Sequence, residues 1–329
     1  MTQAKLAVVG SFVQDLAFTV GNFPAPGQTI IGNFFTGPGG KGSNQAVAAH
    51  RQGVPTIFIG CVGDDLFGHG YQEWCKEEGL PIRLLTAAGS PTGAASIVIN
   101  ERAENAIVVA LGANDALTPE HVRNALAQET SLSVVLLQAE SNLQAAQAAL
   151  TYARERGITS ILNPAPINPH LTASLLSSAN YITPNETELS FLLKHIAGVN
   201  CNEDISKLSD QSIRELCDHL PSTSVLMTLG EHGSILYQRE ALPPGLHGMV
   251  RGEVLRTPAI QVQPRDTTGA GDAFNGGLAA GLIRCNGNLP QAIRYATVVA
   301  GLSTEKMGTA PAMPTEVEVS RHQSFYLNS

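Results

Sequence analysis

Positive charge is scarce in this sequence. The 329 residues include 20 lysines and arginines against 28 aspartates and glutamates, which gives a formal net charge of -8. No long basic run occurs, and surfaces that bind nucleic acid or anionic lipid need clustered positive charge. The composition therefore argues against both partners, and any phosphate must be bound at a local site.

Cysteine and long apolar runs are also sparse. No C-x-x-C pair occurs, so neither a zinc site nor a redox dithiol is indicated. We expect buried thiols in a reducing compartment at Cys61, Cys75, Cys201, Cys217 and Cys285. The apolar stretch Leu6 to Val9 ends at Gly10, too soon for a signal peptide or a membrane span. These absences predict a cytoplasmic protein.

Apolar residues make up 43% of the chain and charged residues only 15%, enough to bury a large core. From about residue 42 onward, short β-branched runs alternate with amphipathic helical segments, which is typical of a mostly parallel sheet. The clearest example is a helix opened by Thr118, a strand at 134–137, a helix at 143–153 and a strand at 158–162. The sequence predicts α/β architecture.

Two regions lack this alternation. Residues 13–37 and 93–112 indicate successive strands with Gly/Pro turns and no helix between them. They predict a small sheet over the main one, either a lid or an ordinary antiparallel edge extension. The segment from Gln238 to Pro258 predicts a long surface loop or a loose hairpin.

The segment Asp266 to Asp272, DTTGAGD, leads directly into a helical run of small residues. Gly269 and Gly271 permit a sharp turn and leave amide N–H groups unhindered at the helix start, where an anion is stabilised. A phosphoryl group fits there, and Asp272 is placed to take the proton of an attacking hydroxyl. The alternative is a Gly-rich turn whose aspartate only stabilises the helix N-terminus.

A second Gly-rich segment spans 37–44, GPGGKGSN. Its formal G-x-G-x-x-G lacks the acidic residue that a dinucleotide site needs about 20 positions later. A Walker phosphate loop fails because Gly42 stands where Ser or Thr is required. What remains is a glycine-lined concavity suited to the hydroxyls of a sugar. Its polar rim consists of Lys41, Ser43 and Asn44.

The segment Thr183 to Glu188, TPNETE, places Asn185 and Glu188 on one face at a helix start. Oxygen ligands at this spacing can hold water around Mg²⁺ beside nucleotide phosphates. A capping box is the commoner meaning of the same pattern.

Together these segments resemble the ribokinase-like (PfkB) carbohydrate kinases, nearly from end to end and in the family's order. The matching motifs are Val9-Gly10-Ser11 followed by Asp15, and the segments 23–27, 39–46, 62–65, 163–166, 183–188, 228–230 and 266–272. The resemblance implies a single kinase domain over 1–329, with three α/β/α layers around a mostly parallel central sheet. It also implies a small β lid, formed by about 13–37 and 93–112, that helps to pair two subunits into a homodimer.

The implied activity is ATP-dependent transfer of the γ-phosphoryl group to the primary 5-hydroxyl of a pentose. D-ribose is the leading acceptor, with ribose 5-phosphate as product. A kinase of deoxyribose, another sugar or a nucleoside stays open, as does a non-catalytic sugar-sensing protein of the same fold.

The resemblance also implies residue roles. It makes Asp272 the catalytic base and the amides of Gly269, Ala270 and Gly271 an anion hole. The implied sugar ligands are Asp15, Gly39, Gly40, Lys41, Asn44 and Glu140, with Asp272. The implied nucleotide-binding residues are Asn185, Thr228, Gly230 and Gly271. Mg²⁺ would accompany ATP near Glu188. A monovalent cation, K⁺, would be held by Asp266, Thr268, Ser303, Lys306 and Gly308.

Three features depart from the family pattern. Val13 stands where many members carry an asparagine that contacts the sugar. Arg265 takes a usually apolar place beside Asp266, where a fixed positive charge would weaken cation binding. The loop 238–258 is longer than usual and is expected near the edge of the adenine.

Overall fold

The computed structural model describes residues 5–102 and 104–326, with side chains through residue 322. The strands, in chain order, are β1 (Leu6–Val9), β2 (Val13–Thr19), β3 (Asn33–Gly39), β4 (Thr56–Gly63), β5 (Ile82–Ala87), β6 (Gly93–Ile99), β7 (Asn105–Ala110), β8 (Val134–Gln138), β9 (Thr159–Asn163), β10 (Tyr181–Ile182), β11 (Ser224–Thr228), β12 (Ser234–Gln238) and β13 (Glu253–Thr257).

The α-helices are α1 (Lys41–His50), α2 (Leu66–Glu78), α3 (Pro119–Ala127), α4 (Leu143–Glu155), α5 (Ala173–Leu176), α6 (Glu186–Leu192), α7 (Asp210–Asp218), α8 (Ala270–Arg284), α9 (Leu289–Ser303) and α10 (Glu316–Tyr326). Local sequence explains their starts. Thr118 accepts a hydrogen bond from the His121 amide at 3.1 Å, and Pro119 follows at the first position, where its missing N–H costs nothing.

The central sheet has nine strands in the order β13-β12-β11-β10-β9-β8-β1-β4-β5. Only β12 runs opposite to the other strands, since it pairs antiparallel with both β11 and β13 at one edge. In β1, Leu6 and Val8 pack into one hydrophobic core with α1 and α8, while Ala7 and Val9 pack into another with α3 and α4. Alternate residues of a strand face opposite sides, so the sheet lies between two helical layers. The predicted three-layer fold is confirmed.

A separate four-stranded sheet has the order β3-β2-β6-β7. Its strands come from the two regions that were predicted to lack helices, although β3 extends beyond the first region to Gly39. Strand β2 pairs with β6 in parallel and with β3 antiparallel. Asp15 lies on β2, so the small sheet carries one of the predicted sugar ligands.

Small residues let α8 lie unusually close to α1. A Cβ at Gly276 would lie 2.5 Å from the Gln45 carbonyl oxygen and 2.6 Å from Ala48 Cβ. Glycine inside a helix costs about 1 kcal/mol relative to alanine. Here the close packing offsets that cost and sets the starts of α1 and α8 side by side.

The loop between β12 and β13 lies away from the start of α8. His247 forms a bridge with Asn288, in the turn between α8 and α9, and a Cβ at Gly287 would lie 2.0 Å from the Gly245 carbonyl oxygen. That turn follows the last residue of α8. The expectation that this loop covers an adenine edge is therefore wrong, and the reason is that β12 runs antiparallel and carries the loop to the other end of the sheet.

The five cysteines are free thiols. The prediction of burial is confirmed for Cys61, Cys75 and Cys217 and wrong for Cys201 and Cys285, which are partly exposed. Among the described residues, no helix combines the length and apolarity that a bilayer crossing requires.

Candidate active site

Two helix N-termini meet at the candidate site. Gly40, with φ 86°, precedes α1, and Gly269, with φ 78°, precedes α8. Both angles lie in the left-handed region that favours glycine. Because α8 packs on α1, the positive ends of the two helix dipoles lie close together, which suits a negatively charged ligand.

The amides at the start of α8 are not equivalent. The Ala270 amide donates to the Thr267 carbonyl at 3.2 Å, whereas those of Gly269 and Gly271 meet no protein acceptor in the described part of the chain. A Cβ at Gly271 would meet nothing within 4 Å, so space is open in front of that residue. Of the three amides assigned to an anion hole, two are therefore free for a ligand.

Asp272 is held by two amides from α1. Its Oδ2 accepts from Asn44 Nδ2 at 2.9 Å and its Oδ1 from Gln45 Nε2 at 3.0 Å. The carboxylate is only 6% exposed. Each oxygen keeps a second lone-pair site, so the group can still accept a proton from a bound hydroxyl.

The predicted sugar ligands gather around Asp272. Glu140 accepts from Ser11 Oγ at 2.5 Å and from the Lys41 amide at 2.7 Å. Asn44 Oδ1 is buried without a partner among the described residues. An unpaired buried acceptor is uncommon in proteins, and here it suits a ligand that donates hydroxyl groups.

The charges of this group are strongly coupled. Burial raises the pKa of Asp15 to about 6, with Glu140 and Asp272 adding to the rise and the Thr309 hydroxyl opposing it. Burial also raises the pKa of Glu140, against the attraction of Lys41.

Burial tends to lower the pKa of Lys41, but the nearby carboxylates outweigh it and the net pKa is raised. Those carboxylates are, in order of effect, Asp272, Glu140 and Glu188. The ammonium group therefore lies in the field of both the sugar ligands and the residue assigned to the metal region.

Gly39 is required by close contact with Asp15, since a Cβ at that position would lie 2.2 Å from the Asp15 carboxylate. Val13 lies two residues before Asp15 on the same face of β2. A valine side chain makes no hydrogen bond, so the site lacks one polar contact there.

A cavity of about 790 Å³ extends from the start of α8. The residues assigned to nucleotide binding, Asn185, Thr228, Gly230 and Gly271, all line it. One wall is apolar and comes from Ile260, Val262, Phe274 and Ala300. Size and lining suit a flat heterocycle with a polar tail.

The apolar wall was not predicted from the sequence. Ile260 and Val262 follow β13 without a regular element, and Ala300 lies on a helix of ordinary composition. The only local pattern that pointed to this wall is the alternation of apolar Ile260 and Val262 with polar Gln261. Thr309, which donates to Asp15 at 3.4 Å, and Gln45 were missed as well, because a contact between distant segments leaves no local pattern.

Asn185 and Glu188 form the predicted capping box. Asn185 Oδ1 accepts from the Glu188 amide at 2.8 Å, and Glu188 Oε2 accepts from the Asn185 amide at 2.9 Å. Burial raises the pKa of Glu188. The described residues contain no cluster of three or more His, Cys, Asp or Glu side chains suited to a metal. Mg²⁺ fits here only if phosphate oxygens supply most of its ligands, as is common for this ion.

The segment assigned to a monovalent cation joins two loops. Asp266 Oδ1 accepts from the Thr268 amide and Oδ2 from the Gly308 amide, both at 2.9 Å. Ser303 Oγ donates to the Ala300 carbonyl, and Lys306 Nζ pairs with Glu318 at 2.6 Å.

Three of the assigned residues are thus in direct contact. The Lys306 side chain has no acceptor, so this residue offers only main-chain oxygen, whereas the Ser303 hydroxyl can still accept or coordinate. Carbonyl and carboxylate oxygens from two adjoining loops suit a hard monovalent cation. Arg265 is exposed, and its amide donates to the Thr304 carbonyl at 2.7 Å.

Known proteins match the chain over nearly its full length. The pfkB family carbohydrate kinase profile matches residues 3–316. A ribokinase of Bacillus subtilis is 35% identical over 96% of this chain and 98% of its own. The structure of a Giardia lamblia ribokinase superposes with a TM-score of 0.85 at 29% identity, covering 99% of this chain and 100% of the other.

A structure of Arabidopsis thaliana ribokinase complexed with ribose and ATP gives a TM-score of 0.77 at 28% identity, with 98% of each chain covered.

Proposed function

The chain belongs to the pfkB family of carbohydrate kinases, and from that premise we propose that it transfers the γ-phosphoryl group of ATP to the 5-hydroxyl of D-ribose. One observation carries the proposal: a buried, acceptor-rich group around Asp272 lies beside two free amides at the start of α8. The relatives that match over the whole chain include several named ribokinases.

In the proposed mechanism Asp272 is the base. Its Oδ2, held by Asn44, accepts the proton of the 5-hydroxyl as the hydroxyl oxygen attacks the γ-phosphorus. The bond from phosphorus to the bridging oxygen breaks and ADP leaves. The free amides of Gly269 and Gly271 stabilise charge on the transferring group, which is the main task of the protein in a loose transition state.

The sugar is bound by acceptors that its hydroxyls can satisfy. Asp15 approaches from the small sheet, and Asn44 offers its unpaired Oδ1. Glu140, which fixes the Lys41 amide, completes this group. Gly39 and Gly40 let β2 lie close to the start of α1, since a Cβ at Gly39 would meet the Asp15 carboxylate and one at Gly40 would meet the Val13 amide.

The adenine is proposed to lie against the apolar wall of the 790 Å³ cavity, with its phosphates directed to Gly271. Asn185, Thr228 and Gly230 would contact the ribose and phosphates. Mg²⁺ would be held chiefly by those phosphates, with Glu188 nearby, and when bound it would neutralise phosphate charge. K⁺ would lie between the loops joined by Asp266.

The small sheet, within a single kinase domain of 1–329, is proposed to act as a lid. Asp15 is on that sheet and Asp272 is on α8, so closing the sheet brings both halves of the sugar site together and excludes water that would compete as acceptor. We also propose a homodimer through this sheet. Five free thiols agree with a cytoplasmic location.

The test is direct. Purified protein with ATP, Mg²⁺, K⁺ and ribose should form ADP and ribose 5-phosphate, in preference to reactions with 2-deoxyribose, fructose and adenosine. Asp272→Asn should lower kcat by about 10² to 10⁴-fold, since a positioned base contributes that much. An unchanged rate in the variant contradicts the assigned base, and absence of turnover with every sugar contradicts the kinase function.

A further inference from the structure

A run of buried polar side chains lies against Asp272. Gln45 and Gln138 are fully buried, and Asn163 and Asn275 are 6% and 1% exposed. Buried amides are costly unless each group finds a partner, so their arrangement is informative. None of the four is among the residues assigned above to substrate, nucleotide or metal.

The charge of Asp272 fixes the orientation of two of these amides. Gln45 Nε2 donates to Asp272 Oδ1 at 3.0 Å, and Gln45 Oε1 accepts from Gln138 Nε2 at 2.6 Å. A carboxylate accepts and never donates, so the NH₂ group of Gln45 must face it. Gln45 Oε1 is then left for Gln138, whose NH₂ group must turn toward it.

At Gln138, the end of this run away from Asp272, one hydrogen-bond acceptor has no partner among the described residues. Gln138 Oε1 is buried and has no partner in the described part of the chain. An orphan acceptor of this kind destabilises the folded protein. Gln138 Oε1 stays unpaired while Asp272 receives a hydrogen bond from Gln45. This is expected if the polar network is kept because it orients the Asp272 carboxylate and not only because it stabilises the fold.

A second arm returns to the start of α8. Gln45 Nε2 also donates to Asn163 Oδ1 at 3.2 Å, and Asn163 Nδ2 donates to the Thr183 carbonyl at 2.9 Å. Thr183 Oγ1 donates to Asn275 Oδ1 at 2.6 Å, and Asn275 Nδ2 donates to the Gly271 carbonyl at 2.8 Å. Gly271 precedes Asp272, so this second arm closes a ring through Asp272 and Gln45, and Gln138 lies outside that ring.

We propose that Gln45 is a positioning residue for phosphoryl transfer, holding the Asp272 carboxylate and, through the ring, the Gly271 peptide in their working geometry. The inference rests on the proposed function, in which Asp272 is the base. Asn44 fixes one carboxylate oxygen and Gln45 the other, so the side chain cannot rotate away from the acceptor hydroxyl. Misplacement of a reacting group by about 1 Å is enough to lower a rate by about 10²-fold.

The test compares Gln45→Met with Gln52→Met. Gln52 is also fully buried, lies just beyond the same helix, and donates to the Ala48 and Pro314 carbonyls with no contact to Asp272. Both substitutions remove an amide at similar volume. Gln45→Met should lower kcat about 10 to 100-fold while the calorimetric ribose Kd stays within about threefold, because Asn44, Asp15 and Glu140 are intact. Gln52→Met should lower Tm and leave kcat within about twofold.

A double-mutant cycle separates positioning from general damage. In an Asp272→Ala background, adding Gln45→Met should change the residual rate by less than about twofold, since groups that act as a unit are not additive. An equal fold-loss in both backgrounds overturns the proposal, as does a wild-type kcat in Gln45→Met. Gln45→Asn keeps a buried amide, but its donor is one methylene farther from Asp272. This second variant should also lower kcat and leave the ribose Kd nearly unchanged.

Failure of the proposed function gives a different result. The wild-type protein would then form no ribose 5-phosphate, or Asp272→Ala would be as active as wild type. If the wild-type protein phosphorylates ribose through Asp272 but Gln45→Met keeps the wild-type kcat, only the positioning role of Gln45 is refuted.

Discussion

At the scale of single residues, the proposed role of Asp15 in sugar binding would oppose stability. Its pKa in the folded protein is about 6, raised mainly by burial from the ordinary value of 3.8. Folding therefore favours the protonated form. Stability falls as pH rises from about 4 to about 6, and the ionised group remains a cost at pH 7.

Asp15→Asn should consequently stabilise the unliganded protein. The expected gain at pH 7 is on the order of 2 kcal/mol or less, seen as a higher Tm, and it should vanish as the pH is lowered below about 4. The same variant should bind ribose at least about tenfold more weakly, because a charged acceptor is lost. Calorimetry and thermal melts across pH 4 to 8 measure both effects.

Ribose binding to the wild-type protein should also weaken as pH falls through about 6, because the ionised form of Asp15 is the better acceptor. In Asp15→Asn this pH dependence should be absent. A wild-type affinity that is flat between pH 5 and 7, or an Asp15→Asn protein with a lower Tm at pH 7, contradicts the account of Asp15.

At the scale of elements, the close contact of α1 and α8 explains how the site is assembled. The backbone around Gln45 leaves no room for a side chain at position 276. Gly276→Ala should therefore destabilise the protein by about 1–3 kcal/mol, as overpacking does, and should lower kcat by shifting Asp272 relative to Asn44.

Gly70→Ala is the matched control for Gly276→Ala. Gly70 is exposed in the middle of α2, and a Cβ there would meet nothing within 4 Å. Alanine should stabilise the protein at this position by about 0.5–1 kcal/mol through helix propensity. Urea unfolding of both variants checks the pair, and equal effects would show that α1 and α8 do not need close contact.

The same scale shows what sequence patterns predict and what they miss. Continuous apolar runs and the cap at Thr118 predicted β8, β9, α3 and α4, because these signals are local. The ring through Gln45 was not predicted, since Gln45 and Asp272 are 227 positions apart.

The position of the loop after β12 was also missed. It depends on one reversal of strand direction at the edge of the central sheet, and the local pattern does not record that reversal. The Gly-rich segments were found because positive φ and free amides restrict the residue type strongly.

At the scale of the whole molecule, the small sheet exposes apolar side chains that a single copy leaves uncovered. Phe18 and Phe34 are 39% and 55% exposed, their ring centroids are 5.1 Å apart, and Val108 is 74% exposed. The strand pairing places these three residues on one face of the small sheet, and Asp15 lies on its other face. Exposed apolar side chains on one face are what a protein–protein interface covers, and the proposed homodimer would cover these.

Combining Phe34→Glu with Val108→Glu should therefore convert the protein to a monomer, because two charges would have to be buried without partners. Val317→Glu is the control, since Val317 is 59% exposed but lies on α10. Sedimentation should give a dimer mass for wild type and control and a monomer mass for the double variant. A monomeric wild-type protein contradicts the dimer. The double variant could be monomeric and retain kcat while its ribose KM rises. That result would show that dimer formation affects lid closure, because closure affects binding of the sugar more than the chemical step.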